Sequence, residues 1–536
     1  MKHLSFPWLP ALALAVCGTA LAGDPVLTPP DYPVRHGPLT DTELAMAKVA
    51  WRYFENNYQP DTGLVNAVDG YPSTTMWDTA SYLGGLVSAY ELGIIDKQTF
   101  DARLVRLLRT LNGLDFFQKE LPNKVYHTKT AEKVNYANKP GEIGFSALDL
   151  GRMLVWLKII KERYPEHGNA IDSFVLRWDF THAVDRCGTL FGAVLDEKSK
   201  TPSYVQEGRL GYEEYAAKGF QLWGFSTCMA SRPEPYQTIP VYCVNVPYDT
   251  RDPRLYSQHN YVVSESYVLD GIELGWDLPW DRASRNGEYS DRMAADFAKR
   301  VYQAQENRYR VTGKVTARSE HQLDTAPYFV YDTVYSDGYA WNTITDTGKY
   351  VPEFAAVSLK AALGMWVLWN SPYTDLLATS IWHEFVPEKG YYEGVYENGK
   401  GPIKTFTANN NGIMLEALLF KVRGKLLTFN PAAPRDTRGP GMPFLWEQQV
   451  ADPFQAENRL KNRPGNPAEA VRKDAYEVQG ATRGWFRSRR QRPVDQQLGF
   501  FPSEQPLDSG QCPTCPVCPV CEAKTPVVLP PWSSCR

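Results

Sequence analysis

Apolar residues recur at helical spacing through most of this chain, with no fixed repeat length and only weak, short strand signals, and that pattern restricts the fold more than any other feature. Asp96 precedes Phe100, Leu104, Leu107, Leu108 and Leu111, which share one helix face. Thr40 and Glu43 have the spacing of a capping box before Leu44, Val49, Trp51 and Phe54. Thr79 to Leu92 is another amphipathic stretch, ended by Gly93. The pattern predicts further helices near 144–163, 168–178, 205–217, 261–275, 289–308, 352–369, 371–382 and 408–421, about eleven in all, joined by long polar and aromatic loops. An all-α chain of roughly 390 residues with this spacing suggests an α/α toroid of about six helical hairpins. A helical solenoid is the alternative, and the missing period counts against it. In a toroid the loops at one end build the cleft.

The ends of the chain read differently. Lys2 and His3, the mostly apolar run Leu9 to Leu21, and Ala20-Leu21-Ala22 before Gly23 have the order of a signal peptide over 1–22, cleaved after Ala22. A retained anchor is the alternative. Val16 before Cys17 is too bulky for the usual lipid-attachment pattern, so a lipoprotein is not expected. The mature protein is expected in the periplasm or outside the cell. Residues 23–38 read as a Pro-rich linker, 39–429 as the folded domain, 430–510 as a mostly disordered extension and 511–536 as a Pro/Cys-rich tail. A formal net charge of -4 points to neither nucleic acid nor acidic lipid as a partner.

Cys512, Cys515, Cys518 and Cys521 stand every third residue, and the first three precede Pro. In polyproline geometry they line one face about 9 Å apart, beyond the roughly 7 Å that a disulfide tolerates. Such cysteines pair between chains, giving self-association or a disulfide-linked partner. If the tail turns, a redox loop or a zinc site is the alternative, and an oxidising compartment disfavours zinc. Within the body Cys228 and Cys243 bracket a loop and are the expected internal bridge.

An aromatic content of 13% suits a protein that stacks sugar rings, although core packing must account for most of it. Cleavage of a glycosidic bond needs two carboxylates across a cleft, one to protonate the leaving oxygen and one to activate water or attack. Glu265 stands among Ser264, Ser266 and Tyr267 at a helix start, where burial would raise its pKa as an acid requires; a Glu favoured by the helix dipole is the plain alternative. Asp78 beside Trp77 reads as a cleft-floor carboxylate or as a helix N-cap. Asp332 and Asp337, in a loop with Tyr335 that leads to Trp341, are candidate bases or turn formers. Glu142 and Asp149 bracket a helix start, and Glu207 with Arg209 forms either a cleft acid beside a cation or a structural pair. Tyr392, Glu393 and the run Asn409, Asn410, Asn411 could cap a helix or bind sugar hydroxyls. The chain has no HExxH, GxSxG or P-loop, and its eight His show no metal-ligand spacing, so neither metal nor cofactor is expected.

The segments Tyr58 to Val65, Thr75 to Ser81, Leu121 to His127, Gly141 to Gly144 and Thr407 to Gly412 resemble those of a bacterial family, domain-of-unknown-function family 3131, over about Trp51 to Leu427. That family is similar in turn to the glucoamylase-like and endo-β-1,2-glucanase toroids of bacteria, through Pro60 to Val65, Glu265-Ser266, Tyr392 to Gly394 and Asn410 to Gly412. The resemblance implies the toroid fold and a glycoside hydrolase acting on a bacterial polysaccharide or glucan, with Glu265 as its acid. A non-catalytic polysaccharide-binding or envelope assembly protein is the alternative. The tail lies outside the resemblance.

Overall fold

Four of the long helices begin where a hydroxyl or carboxylate meets a free backbone amide. Thr40 and Glu43 form the expected reciprocal box at the start of α1 (Asp41–Asn56). Thr75 caps α2 (Met76–Glu91), Asp96 caps α3 (Lys97–Gly113) and Ser146 caps α4 (Ala147–Arg163). The chain continues through α5 (Gly168–Val175), α6 (Tyr212–Gln221), α7 (Ser264–Leu269, widening into a π-type turn over Asp270–Leu274), α8 (Met293–Thr312), α9 (Leu359–Leu368), α10 (Pro372–Ile381) and α11 (Ala408–Arg423). The computed structural model describes residues 32–429, apart from 197, 226, 228, 234, 254–257 and 277–292. The expected signal peptide, the extension, the cysteine tail and Cys228 therefore lie outside the described residues.

Six helices, α2, α4, α6, α7, α9 and α11, touch in that order, and α11 returns to α2, so they close a ring. Outside it, α1 packs on α2 and α11, α3 on α2 and α5, α5 on α4, α8 on α7 and α10 on α9. The sequence pattern matches these places. All ten residues of α9 are buried, as are twelve of sixteen in α2 and in α11. The outer helix α3 buries only its stripe of Phe100, Leu104, Leu107, Leu108 and Leu111.

The ring helices approach closely where side chains are absent. A Cβ on Gly219 of α6 would lie 2.0 Å from the carbonyl oxygen of Gly151 in α4, and one on Gly364 of α9 would lie 2.0 Å from Val268 of α7. Polar groups also line the interior. Arg152, Glu273 and Glu416 are all fully buried, with Arg152 Nη2 3.2 Å from Glu416 Oε1 and Trp156 Nε1 donating to Glu273 at 2.8 Å.

The all-α expectation needs correcting. Antiparallel hairpins join Phe191–Leu195 to Pro202–Gln206 and Tyr236–Val241 to Val244–Asp249. The helix expected over 205–217 starts at Tyr212 instead, because Pro202–Gln206 pairs as a strand, and the helix expected from 352 starts at Leu359 after the strand Ala356–Ser358. The expected linker is also not free along its whole length. Arg35 donates its amide to Val367 and Gly37 to Lys421, while the Arg35 guanidinium pairs with Asp375 at 2.7 Å.

Candidate active site

The first turns of the ring helices meet at one end of the ring, and carboxylates sit on most of them. Glu265, in the first turn of α7, lies at the centre and is 1% exposed. Asn409 of α11 donates Nδ2 to Glu265 Oε1 at 2.7 Å, and Trp77 of α2 donates Nε1 to the same oxygen at 3.2 Å. Lys360 of α9 pairs with Oε2. Burial works against the Lys360 charge, but Glu265, Glu393 and Glu320 outweigh it and raise its pKa. Asn409, Trp77 and Lys360 thus all donate to a carboxyl that the sequence surrounds with small and aromatic residues.

Glu320 stands beside this pair and is half-buried; it accepts the hydroxyl of buried Tyr212. Burial and the charge of Glu265 push its carboxyl well above the usual range. Asp78, Asp149 and Glu207 form a second group and are half-buried. Burial and the nearby charges of Glu207 and Asp78 push Asp149 up to about 7. Burial also raises Asp78, with Glu265 adding to it against Thr75, Arg152 and Lys360. Glu207 accepts the Ala147 amide that opens α4, and burial still raises its carboxyl. Asp78 therefore lies within electrostatic reach of both groups.

An aromatic wall runs beside the acids. Trp77 meets Tyr212 at 5.6 Å between ring centroids, Tyr212 meets Tyr261 at 5.8 Å, and Tyr261 stacks on Tyr331 at 4.6 Å. Tyr136 is 68% exposed, and the Asp149, Glu207 and Asp78 charges all act on its phenol.

Of the residues expected from sequence, Glu265, Trp77, Asp78, Asp149, Glu207 and Asn409 meet at this mouth. The N-cap reading of Asp78 is corrected, since Thr75 caps α2 and donates its hydroxyl to Asp78 at 2.8 Å. Asp332 is fully buried against Arg318, Thr343 Oγ1 at 2.6 Å and the Ala356 amide at 2.9 Å, so protein donors bind both of its oxygens. Burial raises it to about 6 despite Arg318. Asp337 accepts His259 Nδ1 at 2.7 Å and the Asn260 amide at 3.2 Å, holding its turn.

Arg209 does not pair with Glu207. It is buried, donates to Gln206 Oε1 at 2.7 Å, and is lowered to about 10 by burial and Arg251. Glu142 is bound on the surface by Lys133 and by Gln118 at 2.8 Å. Tyr267 is buried under Gly211, Tyr335 packs on Tyr248 at 4.7 Å, and Trp341 lies against Arg308 at 4.6 Å. Tyr392 packs on Phe406 at 4.7 Å. Glu393 is buried and accepts the Thr407 hydroxyl; burial and Glu265 raise it to about 7 against Lys360 and Thr407. Asn410 binds the Lys360 amide and the Tyr392 carbonyl, and Asn411 binds the Tyr391 backbone.

Sequence reasoning missed Lys360, Glu320, Tyr212 and Arg152. Lys360 had a signal: it is the one charge in the otherwise apolar helix α9, a position that demands a buried partner. Among the described residues one trio, Asp101, Glu166 and His167, has metal-ligand proximity. Lys97 binds both of its carboxylates, Asp101 at 2.5 Å and Glu166 at 3.1 Å, so an ammonium already supplies the positive charge.

A family model described as "Protein of unknown function (DUF3131)" matches residues 45–424. No curated protein matches the chain. Among solved structures, the endo-β-1,2-glucanase of Chitinophaga pinensis, in complex with sophorotriose and glucose, is 12% identical over 74% of this chain and 96% of its own, with a TM-score of 0.51. Candidate glucoamylases of Bacteroides uniformis and Bacteroides caccae are each 11% identical over 74% of this chain, covering 96% and 97% of their own, with TM-scores of 0.51 and 0.50. At such identities the likeness is one of fold.

Proposed function

This chain belongs to the protein family of unknown function 3131, and from that premise we propose that it is an exported glycoside hydrolase-like protein acting on a bacterial polysaccharide or glucan. The observation that carries the reading is the set of carboxylates with raised pKa values at the mouth of the ring, beside an aromatic wall. We assign the proton donor to Glu320, which burial and Glu265 keep protonated above the usual range. Glu265 serves as its anionic neighbour. Asp78 and Asp149, on the first turns of α2 and α4, are the candidate bases.

The six-hairpin toroid belongs to the same proposal, supported by the closed ring of six helices with others packed outside it. Export rests on the sequence of residues 1–22 and places the protein in the periplasm or outside the cell. Disulfides in the body belong to the same proposal, resting on Cys187 and Cys243 as cysteines that do not titrate as free thiols. Crosslinking through the tail, to a second copy or a cysteine-rich partner, rests on its cysteine spacing.

The test is to incubate the mature chain, beginning at Gly23, with a panel of neutral and charged bacterial polysaccharides that includes β-1,2-glucan, and to measure new reducing ends. New ends that disappear in Glu320→Gln, with binding retained, support the hydrolase and its donor. Binding of one polysaccharide without cleavage by the unmodified protein moves the reading to the polysaccharide-binding alternative.

A further inference from the structure

The Asn409 amide has an orientation that its neighbours dictate. Its Oδ1 lies 2.7 Å from Arg152 Nη1, 3.0 Å from Ser81 Oγ and 3.2 Å from Trp77 Nε1. The guanidinium and the indole only donate, so that atom must be the carbonyl oxygen. The amide nitrogen is then committed to Glu265 Oε1, 2.7 Å away. Arg152 acts on the second donor too, because its guanidinium carbon lies 4.8 Å from the centre of the Trp77 ring.

Arg152 itself is held from below. It is fully buried, donates to Ser81 Oγ at 2.7 Å, and lies between Glu416 at 3.2 Å and Glu273 at 3.7 Å. A lysine offers a point charge at this place, not a planar fork that reaches two directions at once. The core of the ring thus ends, through one guanidinium, on both donors to a single oxygen of Glu265.

We propose that Arg152 and Asn409 are positioning residues for Glu265, with Arg152 locking the Asn409 amide and the Trp77 ring so that Oε1 is held by two fixed donors. The inference rests on the proposed hydrolase only in making Glu265 part of a reaction; the positioning itself is a property of the folded chain. It makes the anion at the mouth depend on a cation buried in the ring. Removing either link frees Oε1 to turn and removes a donor that favours its charged form.

The test uses mature chain labelled with 13C at the Glu side-chain carboxyl, with the Glu265 resonance assigned by its loss in Glu265→Gln. The pH titration of that resonance is compared in the unmodified protein, Asn409→Leu, Arg152→Met and Arg152→Lys. The expected result is a midpoint displaced to higher pH in Asn409→Leu and Arg152→Lys, with the melting temperature of Asn409→Leu close to that of the unmodified protein. Arg152→Met strands two buried acids and can fail to fold; Arg152→Lys and Asn409→Leu then carry the test. An unmoved midpoint in folded Asn409→Leu overturns the proposal. Where a polysaccharide is cleaved, kcat in Asn409→Leu is expected to fall by about 10²-fold with KM little changed. If none is cleaved, the hydrolase reading fails while the titration still decides the positioning.

Discussion

Lys360 and Glu265 form an ion pair at the mouth of the ring, with side chains only 4% and 0% exposed. Two charges removed from water in this way are stabilising only together. Lys360→Met leaves the Glu265 carboxylate buried beside Glu320 and Glu393, and is expected to cost about 3–5 kcal/mol in urea unfolding. The double variant Lys360→Met with Glu265→Gln should recover more than half of that loss. Equal destabilisation of the single and the double variant would show that lost lysine packing, not the stranded charge, sets the cost.

Glu273 and Glu416 share the Arg152 cation deeper in the ring, and they are not equivalent. Burial raises both carboxyls, and the contact with Glu273 raises Glu416 further, so Glu416 holds a proton more readily than Glu273. Glu416→Gln mimics that neutral form and should cost less than about 1 kcal/mol. Glu273→Gln leaves Arg152 with only the more readily protonated Glu416 as its anion and should cost about 3–5 kcal/mol by the same unfolding measurement.

Stability should fall as the pH rises from about 4.5 to 7. Glu393 is buried, and its carboxyl moves from an unfolded value of 4.5 to about 7 in the folded protein. The folded state therefore binds the proton more tightly than the unfolded chain. The resulting stabilisation is full below the unfolded value and disappears as the pH passes the folded one. Melting temperatures across this range should decline, and Glu393→Gln should flatten the decline by an amount on the order of 3 kcal/mol. Asp149 titrates in the same direction but is only half-buried, so its share is smaller.

Gly219 lets α6 lie on α4. A methyl group there would sit 2.0 Å from the Gly151 carbonyl oxygen, which is backbone and cannot turn aside. Gly219→Ala is expected to destabilise by about 1–3 kcal/mol, although alanine favours a helix intrinsically. An unchanged urea midpoint would mean that the ring spreads at this contact without cost.

Several parts of this protein were legible before folding. The capping pair Thr40 and Glu43, the stripe on α3 and the apolar sequence of α9 each depend on neighbours three or four residues away, so local pattern reveals them. Glu265 was legible for the same reason, as an acid among small residues at a helix start. Asp332 misled because the same polar loop pattern serves a cleft and a buried ion pair equally well; only Arg318, folded against it, separates the two.

The sequence by itself determined where the capped helices α1 and α3 start and which helices are apolar all round, since these follow from periodicity and capping over a few residues. The tertiary structure alone decided which acids share a site and which hold a proton. Glu265 meets Asn409 from 144 residues away and Trp77 from 188, contacts made only when α11 returns to α2 and the ring closes. The raised carboxyls of Glu320, Asp149 and Glu393 come from burial and from charges brought together by that closure, and no local pattern encodes either.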